Sequence, residues 1–146
     1  MTAAMDFSRL TQGERIVLVA GIVLIVDLLL FPWHSIDLGV EIPGLDTTLT
    51  AVQSPNGAYG VLALVLTIIM VAQIVAAKLA GASLPEPPIP WSQIHVIAGT
   101  TVAILLVIKL VRETDSLGFG CYLGVLLGIV LAYGAYALRR EDSILV

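Results

Sequence analysis

Four long apolar runs decide what this chain can fold into. They cover residues 16–31, 59–80, 91–111 and 117–138, and each reaches or nears the ~20 residues that carry a helix across ~30 Å of hydrocarbon. A helix on the surface of a soluble protein keeps a polar stripe toward water; these runs hold only single polar residues. In lipid a backbone must satisfy its own hydrogen bonds, which a helix does and an open strand does not. The sequence therefore predicts an all-α membrane protein: one domain over residues 1–146, a four-transmembrane-helix bundle with a small extracytoplasmic β-hairpin-like loop between its first two helices. Composition agrees. The chain is 58% hydrophobic and 12% charged, with a mean hydropathy of +1.01, where soluble domains run to ~45–50% and ~25%. That balance excludes a disordered chain and a soluble enzyme, and a net charge of -4 withholds the basic surface that nucleic acid requires. A single cysteine excludes a disulfide framework, a Cys-rich zinc site and an iron–sulfur cluster within one chain.

The first run follows Arg9 and Arg15 like a secretory signal, but Phe31-Pro32-Trp33-His34 stands where a small-residue cleavage site would be. It reads as an uncleaved helix. Thr11-Gln12-Gly13-Glu14 has the capping-box pattern of a helix start, and Pro32 with Trp33 is expected to end the helix at the membrane interface. Lys and Arg set the orientation. With the N-terminus inside, Arg9, Arg15, Lys78, Arg139 and Arg140 are cytoplasmic and only Lys109 and Arg112 lie outside, five of the seven against two. The positive-inside rule then puts both termini in the cytoplasm of a multi-pass plasma-membrane protein. Asp37, Glu41, Asp46, Glu113 and Asp115 leave the outer face acidic, as a solvated loop or a weak attractor of cations.

Within the outer loop, residues 33–57, Ile36, Leu38, Val40 and Ile42 alternate with Asp37, Gly39 and Glu41 in a strand pattern. Pro43-Gly44 supplies a turn, and the Thr-rich stretch 45–51 returns as a second strand. Such a ribbon is marginal alone and should rest on the helix ends. Pro85, Pro87, Pro88 and Pro90 make the loop before the third helix a stiff spacer, a more common use than a ligand for a Pro-recognising domain.

Polar residues inside the runs are the candidate sites. Asp27 lies six residues before Trp33, ~9 Å inside the interface at ~1.5 Å per residue, and an intramembrane carboxylate is a functional candidate by default. Lys109 is close in depth on an antiparallel third helix, so a buried ion pair, Asp27 with Lys109, outweighs an ion-handling role; one acid is not a relay. Gln73 and His95 sit toward the inner side, Thr100 and Thr101 nearer the middle. His95 either shuttles protons or, more commonly at such a position, hydrogen-bonds at the inner interface; His34 reads as a solvated loop residue. Small residues form two helix-packing faces, Gly120, Gly124 and Gly128 (continued by Ala132) on the fourth helix and Ala72, Ala76 and Ala80 on the second. Each admits a neighbouring helix, within the chain or from another. Cys121 reads as a packing residue, Trp91 and Tyr122 as interfacial anchors, with Tyr133 and Tyr136 toward the inner side.

A helix opening with Gly13-Glu14-Arg15 and closing with Phe31-Pro32-Trp33, a Pro87-Pro88-Ile89-Pro90 loop, and a last helix entered through Leu117-Gly118-Phe119-Gly120 and Tyr122-Leu123-Gly124 together resemble a loose group of uncharacterised actinobacterial four-span membrane proteins. The resemblance covers most of the chain through short apolar motifs; it implies the topology and carries over no catalytic residue. No phosphate loop, Ser-His-Asp set, zinc helix or axial haem pair is present, so no catalytic residue, cofactor or metal is expected. The expected function is non-catalytic: an accessory subunit or self-associating scaffold whose partners are the bilayer and itself or another membrane protein. The alternative is a small oligomeric transporter or channel for protons or cations around Asp27 and the threonines of the third run; an intramembrane enzyme comes third.

Overall fold

In the computed structural model, residues 8, 10–35, 48–53, 57–84, 87–112 and 117–144 are described. Four helices carry the fold: α1 (Gln12–Leu30), α2 (Gly57–Ile74), α3 (Trp91–Arg112) and α4 (Phe119–Ile144). Two-residue strands, β1 (His34–Ser35) and β2 (Thr48–Leu49), join α1 to α2 as an antiparallel pair, with His34 opposite Leu49 and Ser35 opposite Thr48. The expected strand over 36–42 lies outside the described residues, as does the turn at Pro43-Gly44.

The helices begin and end where their sequence chemistry dictates. Thr11 caps α1: its hydroxyl accepts from the Glu14 N–H, and the Glu14 carboxylate accepts from the Thr11 N–H, so the expected capping box is present. At the other end Phe31 turns extended, as a residue before proline prefers. α2 continues into a wider π-helical turn, Val75–Leu79, in which Ala80 donates back to the Val75 carbonyl. Gly81 then ends the helix at φ 67°, a left-handed conformation that glycine adopts without penalty.

Each helix packs chiefly against its neighbours around a four-membered ring, with α1 closing the ring on α4. Sequential helices run antiparallel. Gly13 lies against Leu138 while Gly124 lies against Asp27 and Trp33; Gly99 meets Ala132, and Gly128 meets Ala103 and Leu106. The middle of the bundle is filled by Val17, Leu18, Leu24, Met70, Val102, Leu106 and Leu131, all essentially without exposure.

Three stretches, Gly57–Leu79, Trp91–Arg112 and Phe119–Glu141, are long and apolar enough to cross a membrane. α1 differs by carrying Glu14, Arg15 and Asp27 within nineteen residues. Its two acids nonetheless face the bundle, 5% and 0% exposed, while Val19, Ile22, Val26, Leu29 and Leu30 face outward.

Candidate functional site

Among the described residues, buried polar side chains gather near the two ends of α1, apart from Thr67, whose hydroxyl donates back to the Ala63 carbonyl. Glu14 and Asp27 stand thirteen positions apart on that helix, which is ~20 Å at ~1.5 Å per residue.

The first cluster is built on the corner after α1. Pro32 turns the chain back, and Trp33 folds into the bundle rather than standing at its edge: it is wholly buried. Backbone bonds lock the corner in place. Trp33 N–H donates to the Leu49 carbonyl, Gly118 N–H to the Trp33 carbonyl and Gly120 N–H to the Pro32 carbonyl. The closeness of Pro32 leaves no room for a Cβ at Gly118 or Gly120. The indole Nε1–H donates to Asp27 Oδ2 at 2.8 Å, and the Lys109 ammonium lies 5.9 Å from the centroid of the same ring, within cation–π range. Asp27 and Lys109, both fully buried, thus meet around Trp33. The other carboxylate oxygen, Oδ1, is buried without a hydrogen-bond partner among the described residues. Cys121, also buried, completes the packing.

Gly124 sits over this cluster. A side chain there would strike the Trp33 ring and the Asp27 carboxylate, so the glycine makes room for side chains rather than for a helix backbone. Gly120 and Gly128 also face inward, against the Pro32 corner and against Leu106 and Ala103. The glycine face of α4 is occupied inside the chain. The alanine face of α2 points the other way, with Ala72 and Ala80 exposed and Ala76 half-buried.

The second cluster surrounds a cavity of about 330 Å³ where α1 begins and α4 ends. Thr11, Glu14, Gln73, Lys78, Ser92, His95 and Glu141 line it, with Trp91 and Ala77 on its walls. His95 is buried, and its Nε2 meets Gln73 Oε1 at 2.7 Å. A carbonyl oxygen only accepts, so this nitrogen donates; Nδ1 is buried without a partner. The bond to Gln73 matches the expectation of a hydrogen-bonded histidine. Glu141, on the last helix, reaches the start of the first: its two carboxylate oxygens accept from Gln12 N–H at 3.1 Å and Gly13 N–H at 2.7 Å. It thereby satisfies amides that a helix start leaves open, where negative charge is also favoured. Lys78, half-exposed, stands 3.9 Å from Glu14 Oε2.

Glu14, Lys78 and Glu141 were not legible as one site. Glu14 carries a local capping signal that fully accounts for it, and no spacing rule links Gly13 to Glu141 across 128 positions. Thr101 lies away from both clusters, bonding back to Ile97, and Thr100 is exposed. His34's side chain lies outside what is described. Among the described residues no three His, Cys, Asp or Glu side chains are placed to share a metal ion. No protein-family model matches this chain, and neither a curated protein nor a solved structure is similar to it.

Proposed function

We propose that the chain is a non-catalytic integral membrane protein, an accessory subunit or self-associating scaffold, with α1 as a fourth span, both termini cytoplasmic and a short extracytoplasmic ribbon. The observation that carries this reading is the separation of the two polar clusters. Between them the bundle is closed by apolar side chains such as Leu24, Met70, Val102 and Leu131 and by Thr67, whose hydroxyl is spent on the Ala63 carbonyl, and a transport path would need polar groups at successive depths. The fourth span is supported by the arrangement of α1, whose acids are turned inward and whose outer face is aliphatic. Self-association is supported by the alanines of α2 and the turn after it: Ala72 and Ala80 are exposed and Ala76 partly so, and small residues let helices approach closely in lipid.

Cysteine crosslinking in native membranes tests the scaffold reading. With Cys121 replaced by Ser, Ala72→Cys and Ala76→Cys should each form covalent dimers, whereas Val107→Cys, on the outer face of α3, should not. Equal crosslinking at all three positions would remove the α2 interface. A proton or cation flux from the purified chain in liposomes would transfer the reading to the oligomeric channel.

A further inference from the structure

We infer that the cavity between Glu14 and His95 is a binding site for a primary ammonium group, carried by a small amine or by an aminophospholipid headgroup. At about 330 Å³ it lies at the lower end of the ~300–1,000 Å³ usual for small-ligand sites. Its chemistry is set by which lining groups are already used. Both Glu141 oxygens are taken by the α1 amides, and Glu14 Oε1 by the Thr11 N–H. Two nitrogen or carboxylate acceptors of the described lining hold no hydrogen bond. One is Glu14 Oε2, whose neighbour Lys78 Nζ stands at 3.9 Å, beyond hydrogen-bond length. The other is His95 Nδ1, which in the neutral ring holds a lone pair because Nε2 donates to Gln73.

A ligand completing these groups must therefore donate more than one hydrogen bond and carry positive charge. An ammonium does both. A quaternary amine lacks the N–H groups, and an anion would meet two carboxylates, Glu14 and Glu141, against the one ammonium of Lys78. Trp91 on the wall offers an aromatic surface to the ligand's apolar part or to its charge. Lys78 is then an internal competitor: a tethered primary ammonium held beside the same carboxylate, on a side chain half open to solvent.

This competition gives the test its direction. The full chain, purified in detergent, is titrated with 2-phenylethylammonium, neutral 2-phenylethanol and phenylacetate, three probes of similar size and different charge. Binding is read from the ¹⁵N resonances of His95, with tryptophan fluorescence as a second signal. Only the ammonium should bind, and it should move the Nδ1 signal. Glu14→Gln, which keeps the capping box because Gln serves at that position, should weaken binding by about tenfold or more, the scale of one charge-assisted hydrogen bond. Lys78→Gln should strengthen binding.

Loss of binding in Lys78→Gln, or preference for phenylacetate, would overturn the proposal; so would equal binding of the alcohol and the ammonium. Lys78→Gln decides the matter even where Glu14→Gln does not fold. Nanodiscs identify the source of the amine. If phosphatidylethanolamine, compared with phosphatidylglycerol alone, weakens the probe's apparent affinity, the headgroup occupies the site; unchanged affinity assigns it to a soluble amine.

Discussion

Trp33 holds the first polar cluster together, because one indole serves Asp27 through its N–H and Lys109 through its ring. Trp33→Phe keeps an aromatic ring and removes the donor, which leaves a buried carboxylate with neither oxygen bonded by a side chain. The expected loss is ~1–3 kcal/mol, read as a lower thermal unfolding midpoint in detergent. Asp27→Asn should cost less, since its amide oxygen still accepts from the indole. Because Asp27 and Lys109 touch the same ring, the combined change Asp27→Asn with Lys109→Met should cost less than its singles together. Additivity within ~0.5 kcal/mol would show that the two do not communicate. Glycines of one face should likewise separate by what stands over them. Gly124→Ala drives a methyl into Trp33 and Asp27 and should destabilise by ~1–3 kcal/mol. Gly128→Ala is tight only against the end of Leu106 at 3.1 Å, a flexible terminus that can turn aside, with the Ala103 backbone at ordinary contact distance, and should be nearly neutral in the same melt.

At the scale of the helix, the apolar runs and the observed elements agree to within a few residues at most ends, as α3 over Trp91–Arg112 against the run 91–111 illustrates. Lipid-length apolar stretches leave one economical conformation, and a capping box or a proline states where it starts or stops. The larger departure is α4, which continues to Ile144, through charged residues that a hydropathy reading ends before. That extension matters, because it delivers Glu141 to the first amides of α1. What the sequence conceals is of this kind: contacts between segments far apart in the chain, such as the burial of Trp33 beneath Gly124, leave no periodic trace. Only the backbone corner at Pro32 turns a residue of interfacial type inward. The Glu141 cap has its own measurable consequence. Glu141→Ala should release the Gln12 and Gly13 amides, whose hydrogen exchange should rise while that of the α1 interior stays protected. Unchanged exchange at these two amides would mean that the contact adds nothing to the helix start.

For the molecule as a whole, the proposed orientation rests on five cationic residues at one side against two at the other. Lys109 is buried between helices rather than placed in a loop, which leaves the asymmetry at the exposed positions steeper still. Reporter fusions after Val146 and near Asp46 should therefore give opposite locations, the first cytoplasmic; matching locations would remove the four-span topology. The ring closure of α1 upon α4 also bears on biosynthesis. α1 is made before the segment that covers Asp27 and caps Gln12, so until α4 follows, the carboxylate lacks the cover that Gly124 gives it. With α1 as the proposed fourth span, a chain halted before Phe119 would leave that acid uncovered in the bilayer, an arrangement costing several kcal/mol. α4 thus supplies two things at once that an interrupted chain would lack, the cover over Asp27 and the carboxylate on the first amides of α1.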